Sequence, residues 1–143
     1  MLKVVYPSNN FRIKKTAGKE FIFDEVRRRW VTLTPEEWVR QNFLQYMLRV
    51  KNYPGALLSV EKLVNVGELR KRCDIVVYKD SRPWMIVECK EMNVDLKLPA
   101  LEQILRYNIG HEVQYLVITN GNNSIAFRLT GDAFIEIDEL PSL

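Results

Sequence analysis

The stretch "RCDIVVYKDSRPWMIVECK", residues 72–90, decides how this chain folds. Two apolar runs, IVVY and WMIV, flank a polar turn running from Lys79 to Pro83, the pattern of a β-hairpin. Asp74, Glu88 and Lys90 interrupt those runs where a buried strand would carry Val or Ile. With the turn centred on Ser81, antiparallel pairing sets residues equidistant from it opposite each other. Asp74 is then predicted opposite Glu88, and Cys73 opposite Cys89. Opposed side chains on one sheet face have Cβ atoms roughly 4.5–5.5 Å apart, and alternation puts Glu88 and Lys90 on the same face. Asp74, Glu88 and Lys90 are therefore expected to converge, and a register slip of one residue would separate them.

Two opposed carboxylates repel unless something positive lies between them. A divalent cation meets that need, and Mg²⁺ prefers one or two carboxylates together with water and phosphate oxygens. Lys90 is placed to hold a water or a phosphate oxygen beside such a metal. A salt-bridged face of an ordinary sheet would use the same residue types. The flanking strands, however, are apolar on both faces, and a buried carboxylate without a partner is costly. Chemistry explains the pattern better than a solvated face does.

The rest of the composition narrows the class of function. The chain has 143 residues, 47% hydrophobic and 27% charged, with a formal net charge of +3. That length suits one domain with a real core, and no repeat or low-complexity tract interrupts it. The basic clusters Arg27-Arg28-Arg29 and Arg70-Lys71-Arg72 read either as solvated charge runs or as phosphate contacts. No run approaches the roughly 18 apolar residues of a membrane span, and the N-terminus has no cleavable signal. A cytoplasmic protein that does not enter a membrane is expected. Two cysteines and one histidine do not build a structural zinc site. Cys73 and Cys89 read as buried apolar groups, and His111 as a surface residue near a helix end. Neither GxxxxGK[ST] nor GxGxxG occurs, so no ATP site of those kinds is present.

Outward from the hairpin, "TPEEW" opens a helix. Thr34 serves as N-cap, Pro35 suits the first position, and Glu37 completes a capping box. The helix is predicted to run to about Lys51 and to be closed by Asn52, Pro54 and Gly55. Its apolar stripe is Val39, Phe43, Tyr46, Met47 and Val50, flanked by Leu44 and Leu48. "ALLSVEKLVNV" reads as a strand. A second helix is expected over about 98–109, and "QYLVITN", "SIAFRL" and "FIEIDEL" read as further strands. Residues 1–19 look polar and irregular, and short strands are expected after them around Phe21–Phe23 and Trp30–Leu33. This order predicts an α/β (α+β) fold with a central mixed β-sheet flanked by helices. A core over about 34–127 would carry residues 1–33 as an extension packed on it.

An Asp followed by Glu-x-Lys on the next strand resembles the PD-(D/E)xK nuclease superfamily, with Cys73 in place of the proline. Three features sharpen the likeness. "LTPEEWVRQ" resembles the opening of the N-terminal nuclease domain of type I restriction enzyme R subunits. Members of that group carry an acid on this helix, and Glu37 matches it, although its position also suits the capping box. "ALEQILRYN" places Gln103 and Tyr107 at i,i+4, similar to the QxxxY helix of RecB-type nuclease domains. The strand "YLVITNG" follows, as it does in the restriction subunits.

The resemblance implies a restriction-endonuclease-like core and a Mg²⁺-dependent deoxyribonuclease, with Mn²⁺ as a substitute metal. Asp74, Glu88 and the backbone carbonyl of Cys89 would be metal ligands, with Glu37 completing the shell directly or through water. Lys90 would orient the attacking water or stabilise charge on phosphorus. Gln103 and Tyr107 would flank the site and touch DNA, and Arg70, Lys71 and Arg72 would attract phosphates. DNA is the implied partner, together with a homodimer mate and the motor or specificity subunits of such enzymes, since no motor sequence is present here. Two other readings stand beside it: a non-catalytic nucleic-acid-binding or assembly module on a nuclease scaffold, and a plain domain with a charged sheet face.

Overall fold

The computed structural model describes residues 1–66, 69–97, 113–131 and 133–143. Three strands come first: β1 (Ile13–Thr16), β2 (Lys19–Asp24) and β3 (Arg29–Thr32), paired antiparallel in the order β1-β2-β3. The sequence hides β1 because IKKT offers one apolar residue and all four side chains are exposed. Its pairing with β2 rests on a two-residue turn, Ala17-Gly18, with φ of 52° and 80°. Positive φ at both positions gives the twist a tight hairpin requires.

Helix α1 (Pro35–Gln45) follows, started as its sequence predicts. The Thr34 hydroxyl accepts a hydrogen bond from the Glu37 backbone N–H at 3.0 Å, and Glu36 and Glu37 lie at the positive end of the helix dipole. The last turn, Tyr46–Val50, is π-helical, so the Lys51 N–H reaches back five residues to the Tyr46 carbonyl at 3.1 Å. Asn52 (φ 58°) then ends the helix. Val39, Phe43, Leu44, Tyr46 and Met47 are buried, whereas Val50 is exposed, because the widened turn rotates it off the stripe.

The larger sheet runs β4-β5-β6-β7-β8-β9. Its strands are β4 (Leu58–Val66), β5 (Leu69–Lys79), β6 (Arg82–Cys89), β7 (Tyr115–Thr119), β8 (Ser124–Thr130) and β9 (Ala133–Ile137). Every neighbouring pair is antiparallel except β6 and β7, which are parallel. A parallel pair needs a long crossover, and here the chain between β6 and β7 supplies it. The helix expected over 98–109, with Gln103 and Tyr107, and also His111, lies outside the described residues.

Both faces of the central strands are covered. Phe43, Leu44 and Met47 from α1 pack with Ile75, Val77, Met85, Val87, Cys89 and Val117. Val64, Cys73, Val76, Ile86, Val113 and Leu116 form a second cluster. Two-sided burial is why the hairpin sequence is nearly continuous in apolar residues rather than alternating. The β7–β8 turn is held by the Asn120 side chain, whose Oδ1 accepts from the backbone N–H of Asn122 and Asn123 at 3.0 and 2.7 Å. No helix among the described residues is long and apolar enough to cross a membrane.

Candidate active site

The β5–β6 hairpin turns more tightly than its sequence suggests. Asp80 and Ser81, both left-handed at φ 53° and 62°, form a two-residue loop, and Lys79 pairs with Arg82. A bulge between Val77 and Tyr78 restores the difference. From Val77–Met85 through Ile75–Val87, the register is therefore the one a turn centred on Ser81 predicts.

The ladder stops one step before Asp74 and Glu88. There the Cys89 backbone N–H donates to Oδ2 of Asp74 at 2.8 Å. Alternation slips at the same place: Cys73 and Val76 lie in one cluster while Ile75 lies in the other, which a regular pleat forbids. Cys73 and Cys89, expected face to face, are thus buried in different clusters. On β4 the register passes from Val60–Ile75 to Lys62–Cys73, leaving Glu61, at φ 51°, across from Asp74. This irregularity frees Asp74 to reach both Glu88 and α1.

Glu88 is buried, at 8% exposure. Burial pushes its carboxyl up to about 7, with the Lys71 ammonium pulling down and the Asp74 charge pushing up. Asp74 is close enough for its charge to bear on this carboxyl. Lys71 Nζ lies 3.1 Å from Glu88 Oε1, so this lysine turns inward to neutralise Glu88, where the sequence suggested a phosphate contact. Lys90 anchors its backbone N–H on the Thr119 carbonyl at 2.8 Å. Its charge reaches the Glu36 carboxyl, which burial and Asp74 raise and Arg40 and Lys90 lower.

The most heavily engaged side chain is one the sequence reading missed. Arg40 of α1 is 4% exposed and donates from Nη2 to Asp74 Oδ1 at 2.6 Å and from Nη1 to Glu37 Oε1 at 2.7 Å. Glu36 and Glu61 lie 3.2 and 3.4 Å from Nη2. Burial opposes its charge, but the hydrogen bond to Asp74 and the charge of Glu37 more than offset that and hold its pKa above the ordinary guanidinium value. Glu37 also accepts from Arg27 at 2.9 Å and from Gln41 at 3.1 Å. Its carboxylate is spent on these contacts, so only the Thr34 half of the capping box accounts for its place in the sequence. Asp24, fully buried, completes the network through Arg27 at 2.6 Å and Gln41 at 2.9 Å. Burial raises its carboxyl, and the Arg27 and Gln41 hydrogen bonds bring it below the usual value.

The structure thus brings together Asp74, Glu88, the Cys89 backbone and, through Arg40, Glu37. Arg70 and Arg72 are exposed on β5, with Arg72 4.0 Å from Glu61. One signal of the missed residues was present: Glu37, Arg40, Gln41 and Leu44 follow helical spacing beside the apolar stripe, a polar face that is buried rather than solvated. Arg27, Asp24 and Glu61 carried no such signal.

A mixed sheet with one parallel pair, α1 packed on one face and carboxylates where the hairpin ladder ends defines a restriction-endonuclease-like fold. Residues 35–141 match the family described as type I restriction enzyme R protein N terminus (HSDR_N), and the chain belongs to that family. No curated protein and no solved structure matches it.

Proposed function

We propose that this domain is a metal-dependent nuclease that hydrolyses DNA phosphodiester bonds. One observation carries the reading: Asp74 and Glu88 stand side by side, largely shielded from water, at the end of an apolar hairpin. Stability alone favours apolar residues there, because a buried like-charge pair must be offset by other groups.

The residues fit a hard divalent cation in kind. Asp74 and Glu88 offer carboxylate oxygens, and among the described residues Oε1 of Glu88 is buried without a hydrogen bond, with Lys71 Nζ 3.1 Å away. The Cys89 carbonyl is the third donor, and Glu37, whose carboxylate already accepts from Arg40, Arg27 and Gln41, joins through water. Among the described residues no three His, Cys, Asp or Glu side chains converge on one point, so water and substrate oxygens fill the remaining positions. Mg²⁺, or Mn²⁺ in its place, supplies when bound a polarised phosphate oxygen and a water of lowered pKa. The chain's own groups do the rest. Lys90 orients the water or meets charge developing on phosphorus. Arg40 keeps Asp74 and Glu37 aligned, and Oδ1 of Asp74 would serve a cation only once its 2.6 Å contact with Arg40 is given up. Arg70 and Arg72 attract phosphates, and Gln103 and Tyr107 position the backbone. Membership in the R-subunit family makes motor and specificity subunits the partners in view, and a homodimer gives one site per strand.

The test uses supercoiled and single-stranded DNA with Mg²⁺, Mn²⁺ or EDTA, beside Asp74→Ala and Lys90→Ala. Cleavage is expected only with metal, falling by about 10²-fold or more in each variant. The grip of Arg40 on Asp74 favours one second reading, a non-catalytic DNA-binding or assembly module. Absent cleavage with DNA binding unchanged in both variants would establish that reading instead.

A further inference from the structure

The β1-β2-β3 sheet precedes the region matched to the family, and its two faces differ. Register sets Ile13, Ile22 and Val31 on one side, where Ile22 is fully buried. Lys15, Glu20 and Asp24 share that side. The opposite side carries Arg12, Lys14, Lys19, Phe21, Phe23 and Trp30, with threonines between them and no acidic residue. The cations are ordered on the rings. Arg12 Cζ lies 4.5 Å from the Phe23 centroid and 5.4 Å from that of Trp30, and Lys14 Nζ lies 4.4 Å from Trp30. The rings of Phe23 and Trp30 meet edge to face at 5.5 Å. Phe21, Trp30 and Thr32 also line an open groove of about 630 Å³ whose far wall carries Arg27 and Arg40 among Glu36, Glu37, Glu61 and Glu91.

We propose that this outer face is a binding platform for single-stranded DNA and leads the strand into that groove. The occupant follows from the chemistry. Guanidinium and ammonium groups meet the phosphates, while the partly exposed rings and the guanidinium plane stack on bases. A duplex hides its base faces and would use only the cations, which makes an unpaired strand the better fit. A sheet that only needed stabilising would also mix acids among its exposed cations. The choice of DNA rests on the proposed nuclease reading; the platform itself does not.

Binding is measured in EDTA, so that it is independent of cleavage, by the fluorescence anisotropy of dye-labelled oligo-dT, a matched oligo-U and a duplex, with the quenching of Trp fluorescence read alongside. The variants are Trp30→Ala, Trp30→Phe and the double variant Arg12→Gln/Lys14→Gln, each checked for folding by circular dichroism and melting temperature. The platform predicts that oligo-dT binds more tightly than the other two ligands. Trp30→Ala should lose about tenfold or more in affinity, and Trp30→Phe should retain most of it while losing the quench. The double variant should flatten the slope of log K against log salt by about 1.4. Wild-type affinity in both Trp30→Ala and the double variant overturns the proposal, as does equal or tighter binding of duplex or oligo-U. Platform variants that lose oligo-dT, in a protein that cleaves nothing with any metal, would uphold the platform while sinking the nuclease.

Discussion

Two charged regions lie a short way apart in this molecule and obey different physics. At the end of the β5–β6 hairpin, Asp74, Glu88 and Glu37 are shielded from water, and each is matched by Arg40, Lys71 or Arg27. On the outer face of the β1-β2-β3 sheet, Arg12 and Lys14 stay solvated and lean on aromatic rings. Burial makes the first region intolerant, because a removed partner strands a charge that water cannot reach. Exposure makes the second forgiving, because water replaces what is lost. Changes at the hairpin should therefore register first as stability, and changes on the outer face as binding.

The largest expected break is Arg40→Ala. It strands Asp74, takes one of three donors from Glu37, and should cost about 3–5 kcal/mol of unfolding free energy in metal-free buffer. Added Mn²⁺ should then raise the melting temperature of the variant more than that of the parent, because a cation can take the vacated place. No response to Mn²⁺ in either protein would mean that these carboxylates do not hold the metal.

Glu88→Gln sharpens the comparison through pH. A carboxyl whose folded pKa is raised to about 7 contributes stability below its unfolded value near 4.5, and that contribution fades as pH rises toward 7. The glutamine lacks this loss. With EDTA present, the variant should gain on the parent between pH 4.5 and 7 by about 3 kcal/mol, and hold that gain above pH 7. Urea melts across this range provide the measurement, and a pH-independent difference would contradict the raised pKa. The smallest effect belongs to Lys14→Gln, where an exposed cation–π contact contributes about 0.5–1 kcal/mol at most. A melting point several degrees lower would place Lys14 in the structural group, not on a free face.

Much of the frame was legible because its signals are local. Thr34, Pro35 and the stripe from Val39 to Met47 specify α1 within a few turns of chain. The hairpin register was legible from its apolar runs, even though the loop was drawn too wide, because the Val77/Tyr78 bulge compensates for the tighter turn. Strand β1 was not legible, since its four exposed residues draw their order from β2 rather than from their own pattern.

The sequence by itself determined the mixed α+β order, the start of α1 and the hairpin register as far as Ile75 and Val87, one step short of Asp74 and Glu88. Each follows from periodicities of two or 3.6 residues and from turn chemistry. Only the tertiary structure decided what surrounds those carboxylates. Arg40 lies 34 residues before Asp74, and Glu61 belongs to another strand. Whether Lys71 faces solvent or Glu88 depends on a slip in alternation created jointly by β4 and β5. Charge pairing acts through space, and no local pattern in the chain records which distant ion will arrive.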